Sequence, residues 1–414
     1  MKTDFDILVI GGGMVGACLA ALLGNDRHLG GLRIALLEAN PPTLPPSDRD
    51  VDLRVSAVSR ASERILDAVG AWPKIPQQHL SAYSEMVVWD ATGRPQGPGS
   101  IHFSASATSE PDLGHIVENR RLQWAIYESA ALRSHVTVLR AELSQLELDT
   151  ECATATLADG RRITAALVVG ADGADSVSRK LAGIETRGWS YDQRAFVTHV
   201  GTEHPHERTA WQRFLSQGPI AFLPLADGRS SIVWSTTPEH AQHLVGCPPE
   251  ALAKELEQAL GGVLGKITVS GPRGQFPLRL IHARAYCKPR FVLVGDAAHA
   301  VHPLAGQGVN LGFLDCAALV ETLSAELAAG GTVDSLAELR VLRRYERWRK
   351  SENALALGLI DGLNRLFSNA SPLLTWARRF GLSAVDRTAF AKRFLMGHAM
   401  GTAGDAPQLV RQAR

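Results

Sequence analysis

Gly11-Gly12-Gly13-Met14-Val15-Gly16 decides the fold, because it connects the apolar run Phe5–Ile10 to an Ala- and Leu-rich stretch that starts at Met14. A G-x-G-x-x-G between a strand and a helix is typical of dinucleotide-binding turns. Gly11 permits the tight turn, Gly13 lets the backbone approach a pyrophosphate, and Gly16 allows close helix–strand packing. The helix N-terminus at Met14 and Val15 adds N–H donors and the positive end of the helix dipole. We therefore predict a Rossmann-like strand, turn and helix here.

Glu38 lies 22 positions after Gly16, next to Ala39 and at the end of a second apolar run, Arg33–Leu37. An acidic residue at this place accepts hydrogen bonds from the hydroxyls of an adenosine ribose. Glu38, with Ala39 beside it, is therefore the predicted ribose contact. This first motif alone leaves FAD and NAD open.

The second motif is the apolar run Leu167–Gly170, which ends in Ala171-Asp172-Gly173. It predicts a buried parallel strand that carries an acid and a glycine at its end, followed by a helix capped by Asp175 or Ser176. An ordinary strand-to-helix turn is the alternative interpretation.

The third motif begins with Phe291–Val294, passes through Gly295-Asp296 and His299, and continues through His302–Gly312. We expect Asp296 to contact a ribityl hydroxyl. The Gly306–Asn310 stretch opens a helix, so its N–H donors and dipole can lie against the electron-rich edge of a reduced flavin ring. This motif therefore indicates FAD. For His299 and His302 a hydrogen-bonded structural role is favoured over acid–base catalysis.

The pattern of apolar runs predicts an α/β fold of more than one part. At 414 residues the chain exceeds what one core usually serves. Apolar runs that end in Gly or an acid indicate parallel strands, whereas alternating stretches between about 187 and 280 indicate an antiparallel sheet. We expect a discontinuous Rossmann-like FAD-binding domain (1–80, 97–186 and 281–345), an antiparallel-sheet substrate domain (81–96 and 187–280) and a C-terminal helical region (346–414).

Composition excludes several classes of protein. Lys plus Arg total 43 against 42 for Asp plus Glu, which argues against a nucleic-acid partner. The five cysteines form no Cys-x-x-Cys pair, so neither a metal site nor a dithiol redox site is expected. The charged N-terminus does not resemble a signal peptide, and no apolar run approaches the ~20 residues of a membrane-spanning helix. We expect a cytoplasmic protein, with peripheral contact to the inner membrane face left open.

The three motifs, in this order and at these separations, resemble those of the aromatic-ring hydroxylases, which are single-component FAD monooxygenases. Further segments are similar to the ubiquinone-biosynthesis hydroxylases: Asp52–Ala57, Leu113–Asn119, Ala221–Leu225, Ser231–Ser235 and His302–Gly312. Within that family the chain most resembles the enzymes that hydroxylate ring position 5 of a polyprenylated phenol.

The resemblance implies that reduced FAD and O2 form a C4a-hydroperoxide, which transfers its distal oxygen to the ring of a polyprenylated phenol. NAD(P)H or another external reductant supplies the electrons. No second G-x-G-x-x-G follows a strand with its own acid, so NAD(P)H binds transiently or another reductase takes its place. No protein residue is assigned as catalytic, because the flavin carries the chemistry.

Site residues follow from the resemblance motif by motif. The ADP half of FAD is expected at Gly11, Gly13, Gly16 and Glu38, with Arg54 near the phosphates or ribityl chain. Asp172 is expected near the nucleotide and Asp296 on the ribityl chain. The residues expected beside the isoalloxazine are Gly306, Gly308, Val309 and Asn310, and weaker FAD-contact candidates are Asn119 and Gln123. The substrate-pocket candidates are Trp211, Phe222, Leu223, Pro224 and Pro303, with an ordinary sheet core as the equal alternative.

The C-terminal segment Ser371–Met400 combines apolar and aromatic residues with a net charge of +4, from five Lys or Arg residues against Asp386. Such a segment suits an anionic membrane surface, subunits of a biosynthetic complex, or packing on its own protein. A homo-oligomer is also open. The remaining functional alternatives are an FAD hydroxylase of a soluble phenol and a non-catalytic FAD-holding subunit. A flavin halogenase is disfavoured, because no two tryptophans lie two positions apart.

Overall fold

The computed structural model describes residues 3–43, 45, 51–95, 97, 99–300, 308–367, 388, 392, 395–398 and 400–411. Two large sheets and one small sheet make up the described part of the chain. No helix within these ranges is both long and apolar enough to cross a membrane.

In chain order the strands of the described residues are β1 (Phe5–Ile10), β2 (Ile34–Leu37), β3 (Val55–Ser59), β4 (Ser81–Tyr83), β5 (Glu85–Asp90), β6 (Ser100–Ser104), β7 (Gly114–Glu118), β8 (Val136–Leu139), β9 (Leu143–Leu148), β10 (Ala153–Leu157), β11 (Arg162–Gly170), β12 (Thr186–Thr202), β13 (Thr209–Leu215), β14 (Gly218–Pro224), β15 (Ser230–Thr236), β16 (Ile267–Val269), β17 (Gly274–Ala283), β18 (Cys287–Lys288), β19 (Phe291–Leu293) and β20 (His299–Ala300). The α-helices are α1 (Met14–Asn25), α2 (Arg60–Ala68), α3 (Asn119–Tyr127), α4 (Ala130–His135), α5 (Val177–Leu181), α6 (Pro238–Gly246), α7 (Pro249–Leu260), α8 (Gly308–Ala328), α9 (Val333–Leu336) and α10 (Leu339–Phe367).

The eight-stranded sheet carries the predicted dinucleotide-binding elements. Its main path is β18-β19-β11-β1-β2-β8, and β10 and β9 extend it from β11. β1 runs parallel to β2 and β11, and β11 runs parallel to β19. The carboxyl ends of the strands that precede the three motifs therefore meet at one edge of the sheet. Helix α1 packs against α3, α4 and α8, and α8 packs against α10.

The nine-stranded sheet follows the order β20-β17-β12-β15-β14-β13-β5-β6, with β16 paired to β12. Its strand pairs are antiparallel except for β5 and β13. Helices α6 and α7 cover one face, where Phe196, Phe222 and Trp234 pack against Leu252 and Leu256. The sequence prediction of an α/β part with parallel strands and of a separate antiparallel sheet is confirmed.

The third sheet, β3-β7-β4, lies against the other face of the nine-stranded sheet. Ala57 and Ile116 of this small sheet share an apolar cluster with Ala210 and Leu223 of the large one. The small sheet has no counterpart in the sequence prediction, which also assigned residues 97–186 to the FAD-binding domain. β6 pairs with β5 across a Gly- and Pro-containing connection, so it belongs to the nine-stranded sheet.

The described residues near the C-terminus pack on α2 and on the loop before β7. Met396 and Met400 join Ala105 and Leu113 in an apolar cluster. The Ala61 N–H donates to the Met400 carbonyl, 3.2 Å away. This part of the C-terminal region therefore packs between α2 and the loop that precedes β7.

Candidate flavin site

The glycine turn is shaped by three different requirements. Gly11 has a φ of +97°, and a Cβ there would lie 2.6 Å from the Asp172 Cα. A Cβ at Gly16 would overlap the Gly11 carbonyl oxygen. Gly13 has an ordinary φ of −62°, and a Cβ there would meet nothing within 4 Å. Gly11 and Gly16 thus serve the packing of the turn, while Gly13 borders open space at the N-terminus of α1.

Glu38 and α3 hold the middle of this turn from two sides. The Gly12 N–H donates to Glu38 Oε2 at 2.7 Å, and the Asn40 N–H donates to Oε1 at 2.9 Å. The Gly12 carbonyl accepts from Gln123 Nε2 at 2.8 Å and from the Tyr127 hydroxyl at 3.0 Å. Gln123 therefore supports the turn, and Glu38, with the half-buried Ala39 next to it, keeps further lone pairs for a ligand.

Arg54 lies on a segment that β7 and α3 hold in place. Its exposed guanidinium carbon stands 5.1 Å from the centre of the Phe276 ring. The Arg54 carbonyl accepts from the Asn119 N–H at 3.0 Å, and the Asn119 side chain accepts from Ser56 Oγ at 2.7 Å. Asn119 therefore acts on Arg54 through the backbone.

Glu118 is a positioning residue that the sequence reasoning missed. Its Oε2 accepts from the Asp52 N–H at 2.8 Å, and its Oε1 accepts from Arg121 Nε at 2.6 Å. His79 Nδ1 lies 3.0 Å from the same Oε1. Glu118 and Tyr127 lie close in sequence to the predicted contacts Asn119 and Gln123. This closeness was the sequence feature that could have identified them.

Asp172 serves mainly the start of α5. Its carboxylate accepts from the hydroxyls of Ser176 and Ser178, at 2.5 and 2.7 Å, and from the Ser178 N–H at 2.8 Å. Ser176, and not Asp175, caps the helix, because its side chain accepts from the Arg179 N–H. Asp172 reaches the glycine turn through its backbone beside Gly11.

Asp296 offers an open carboxylate at the start of the third motif. Gly295 before it adopts a φ of +59°, and the Asp296 side chain is exposed. Protein surrounds this open position closely enough that desolvation raises the pKa of Asp296, while the charges of His299 and Arg54 oppose the rise. The carboxylate accepts no hydrogen bond from the described residues, so it is free for a ligand hydroxyl.

Helix α8 brings the first and third motifs together. A Cβ at Gly312 would lie 2.6 Å from the Val15 side chain, and one at Gly295 would lie 3.0 Å from it. The Asn310 side chain accepts from the Ser59 N–H and Ser62 Oγ and donates to the Ala57 carbonyl. Asn310 thus ties α8 to β3 and α2 through its buried side chain. Gly308 and Val309 begin the helix, whereas Pro303, Gly306 and His302 lie outside the described residues.

Below the third motif lies a buried polar network that the sequence reasoning also missed. Asp315 of α8 is fully buried and bonds Gly295, His299, Arg349 and Asn353. The signal was an aspartate within the apolar stretch Gly308–Ala328, because a buried carboxylate needs several partners. His299 is hydrogen-bonded through Nε2, as a structural histidine should be.

Two of the substrate-pocket candidates lie on the face of the nine-stranded sheet that α6 and α7 cover. Trp211 and Phe222 face α6 and α7, where Phe222 is wholly buried and Trp211 packs edge-on against Trp89 at 6.2 Å. Neighbouring residues of a strand point to opposite faces, so Leu223 lies on the face toward β3-β7-β4. Pro224 ends β14 and is buried.

A cluster of charged residues on α2 and before β7 has metal-ligand character. Within the described residues, Glu63, Asp112 and His115 each place one ligand-type atom within 4.8 Å of the others. Arg60 stands between the two carboxylates, 2.6 Å from Glu63 Oε2 and 3.3 Å from Asp112 Oδ1. The guanidinium therefore already supplies positive charge at this position.

The described residues fit FAD. Open space at Gly13 faces a helix N-terminus, and an acidic residue follows the second strand. Asp296 presents a carboxylate at the same sheet edge, with no hydrogen bond from the described residues. These are the features that a pyrophosphate, a ribose and a ribityl chain require.

Comparison with known proteins defines the class. Residues 4–351 match the FAD binding domain family. The chain is similar in fold to p-nitrophenol 4-monooxygenase PnpA from Pseudomonas putida, with a TM-score of 0.75 and 20% identity over 98% of this chain and 100% of that one. It is similarly close to PqsL, a probable FAD-dependent monooxygenase from Pseudomonas aeruginosa, with a TM-score of 0.70 and 23% identity over 93% and 100% of the chains. The protein is therefore an FAD-binding protein with the fold of these monooxygenases.

Relatives at higher identity narrow the class. Ubiquinone hydroxylase UbiL of Rhodospirillum rubrum is 37% identical over 99% of this chain and 92% of its own length. The 3-demethoxyubiquinol 3-hydroxylase of Escherichia coli is 35% identical over 96% and 98%, and human mitochondrial COQ6, a ubiquinone biosynthesis monooxygenase, is 35% identical over 96% and 92%. The chain belongs to the family of FAD-dependent ubiquinone-biosynthesis hydroxylases, which confirms the resemblance seen in the sequence.

Proposed function

We propose that this protein hydroxylates the aromatic ring of a polyprenylated phenol in ubiquinone biosynthesis, at ring position 5. The observation that carries the proposal is the near full-length similarity to three hydroxylases named for ubiquinone or its biosynthesis. The Escherichia coli relative is named for position 3, so the experiment must distinguish these two carbons.

The chain's own residues bind and orient the cofactor. The N–H groups at the start of α1, beside Gly13, receive the pyrophosphate, and Glu38 receives the ribose. Arg54 adds a positive charge near the phosphates or ribityl chain, and Asp296 accepts from a ribityl hydroxyl. When bound, FAD supplies the reduction of O2 and the transfer of one oxygen atom, with electrons from NAD(P)H or another external donor.

The substrate ring is proposed to lie between the nine-stranded sheet and β3-β7-β4. Met86, Ala221 and Val233 of the large sheet face Val55 and Tyr83 of the small one. All five side chains are only half-buried, although they lie between two sheets. An apolar space of this kind excludes water and suits an aromatic ring that carries a prenyl chain. These residues replace Trp211 and Phe222 as the pocket candidates.

The test is quinone-intermediate profiling in cells that lack the protein. We expect ubiquinone to fall and a prenylated precursor lacking one ring hydroxyl to accumulate, with the missing carbon identified by NMR. Return of the wild-type gene should restore ubiquinone, while the matched Gly13→Asp variant, which blocks the pyrophosphate position, should not. Unaltered ubiquinone and precursors would sink the proposal.

A soluble phenol is the second candidate substrate, and purified enzyme distinguishes it. The prenylated phenol should be hydroxylated with a much higher kcat/KM than the same ring without its prenyl chain. Equal values would favour the soluble substrate, and no oxygen-dependent product from either ring would favour a non-catalytic FAD-holding subunit.

The location of the protein is part of the same proposal. The basic, aromatic-rich segment Ser371–Met400 lies largely outside the described residues. We propose a cytoplasmic enzyme whose C-terminal segment contacts the inner membrane face, where a prenylated substrate partitions. Binding of purified protein to anionic vesicles, lost when the Lys and Arg residues of Ser371–Met400 are replaced by Gln, checks this. Capture of a partner subunit or a second copy by the same segment is the competing outcome.

A further inference from the structure

Asp315 links the long helix α10 to the turn at Gly295 and Asp296. Its Oδ1 accepts from Arg349 Nε at 2.8 Å and from Asn353 Nδ2 at 3.1 Å, both on α10. Its Oδ2 accepts from the Gly295 N–H at 3.1 Å and from His299 Nε2 at 2.5 Å. The four donors come from three elements and saturate a carboxylate that is wholly buried.

The negative charge of this carboxylate determines that Nε2 of His299 carries a proton. Burial by itself raises the pKa of Asp315, but His299 and Arg349 outweigh it and hold that pKa below its ordinary range. An ionised carboxylate only accepts hydrogen bonds, so Nε2 of His299 carries the proton. Nδ1 of the same ring is buried and has no hydrogen-bond partner among the described residues. The contact through Nε2 is therefore what orients the ring.

A structural role alone does not require this arrangement. Apolar residues of similar volume often replace a buried ion pair without loss of stability. Here the donors on the Oδ2 side belong to the segment that runs from Gly295 to His299 and carries Asp296 between them. The network thus acts on the backbone that presents the ribityl contact.

We propose that Asp315 and His299 are positioning residues of the flavin site, which hold the Gly295–Asp296 turn so that Asp296 meets the ribityl chain of FAD. The inference rests on FAD binding and on the proposed role of Asp296, and it does not depend on the substrate. Its tests measure FAD release and flavin potential without substrate. Their outcome is therefore independent of whether the proposed ring hydroxylation is correct.

The first test compares two substitutions of His299 in the holoenzyme. His299→Gln keeps an amide N–H near the position of Nε2, whereas the shorter His299→Asn does not reach it. We expect FAD to leave His299→Asn at least about tenfold faster on dilution, the scale of one lost hydrogen bond to a charged group. His299→Gln should release FAD at close to the wild-type rate.

His282→Gln is the matched control. His282 pairs with His299 in the register of β17 and β20 but bonds the Tyr286 hydroxyl and not Asp315. Its FAD release should be unchanged. The proposal is overturned if His299→Gln and His299→Asn release FAD equally fast, or if both behave as the wild type.

The midpoint potential of the bound flavin gives a second readout. Asp315→Asn removes a negative charge from the dry interior near the flavin, so the potential should become more positive. Asp175→Asn, an exposed aspartate paired with Arg279, is the control and should leave the potential unchanged. A folded Asp315→Asn protein with wild-type potential and wild-type FAD release contradicts the proposal, and if Asp315→Asn does not fold, the pair of His299 variants decides.

Discussion

The two large sheets are specified by different kinds of contact. At the edge of the eight-stranded sheet, backbone meets backbone or a single small side chain, and Gly11, Gly16, Gly295 and Gly312 leave no room for a Cβ. In the nine-stranded sheet, alternate side chains divide between two packed faces. The eight-stranded sheet is therefore sensitive to one added methyl group at this edge, and the nine-stranded sheet is sensitive to which face a side chain occupies.

The same difference explains which of the two sheets is easier to predict from sequence. A position that only glycine can occupy gives a sequence motif with fixed spacing, so the motif matches the geometry. When both faces of a sheet are buried, the sequence does not show which face an apolar residue occupies. The predictions below test this contrast, starting from the largest effect.

The first prediction separates two glycines of one motif. Gly16→Ala should lower the free energy of unfolding by about 3 kcal/mol or more, because the new Cβ overlaps the Gly11 carbonyl and no side chain can move aside. Gly13→Ala should fold normally, because its φ is ordinary and its surroundings are open. Yet Gly13→Ala should bind FAD at least about tenfold more weakly, because the methyl group occupies the space for the pyrophosphate.

Thermal melting of the apoprotein and flavin fluorescence measure the two effects separately. Gly70→Ala provides a control for the replacement of a glycine outside the motif, since Gly70 has a φ of +71° and open surroundings. It should cost some stability and leave FAD affinity unchanged. If Gly13→Ala kept wild-type FAD affinity, the proposed position of the pyrophosphate would be wrong.

The second prediction concerns the two faces of the nine-stranded sheet. Phe222→Ala should lower the free energy of unfolding by about 3–5 kcal/mol, because it leaves a cavity in the core beneath α6 and α7. Val233→Ala, on the opposite face, removes a half-buried side chain and should cost only about 1 kcal/mol. It should instead raise KM for the prenylated phenol.

Urea unfolding and steady-state kinetics distinguish the faces. Leu256→Ala on α7 should resemble Phe222→Ala, because the two side chains share one cluster. A Val233→Ala enzyme with unchanged KM, together with a Phe222→Ala enzyme of normal stability and raised KM, would reverse the assignment of the faces.

Much of the cofactor site could be predicted from sequence, and the reason is local. Gly11 and Gly16 each have a single steric role, and the spacing to Glu38 is set by one strand and one helix. Asp172 was placed near the glycine turn, but its carboxylate bonds Ser176 and Ser178 a few residues away, a competition that the motif does not encode.

The rest depended on contacts between distant segments. Asp315 meets Arg349 and Asn353 across a gap of more than 30 positions, and β6 joins β5 across a loop. Phe222 and Leu223 are adjacent and both apolar, so only the positions of α6 and α7 decide that Phe222 belongs to the core. Tertiary packing, and not local pattern, supplies that information.

The last prediction concerns His199, which lies on the face of the nine-stranded sheet toward β3-β7-β4. Its ring is fully buried, and neither ring nitrogen makes a hydrogen bond within the part of the chain that the structure describes. Desolvation, helped by the charge of Arg229 and opposed by Asp227 and Glu118, lowers the pKa of His199 to about 4. The folded protein therefore holds this histidine neutral.

The sign of the pH dependence follows from that shift. Between about pH 6.5 and pH 4 the unfolded chain binds a proton at His199 that the folded chain does not, so stability is present above this window and is lost as the pH falls through it. At pH 5 the loss amounts to about 2 kcal/mol relative to pH 7. His199→Leu should remove this loss and should be no less stable at pH 7, because it also removes two unpartnered polar atoms. Urea midpoints at pH 7 and pH 5 measure the difference, with the exposed His204→Leu as a control that keeps the wild-type pH dependence. If His199→Leu lost as much stability on acidification as the wild type, the buried imidazole would have a partner that compensates its charge. The nine-stranded sheet would then tolerate a buried polar group as well as the network at Asp315 does.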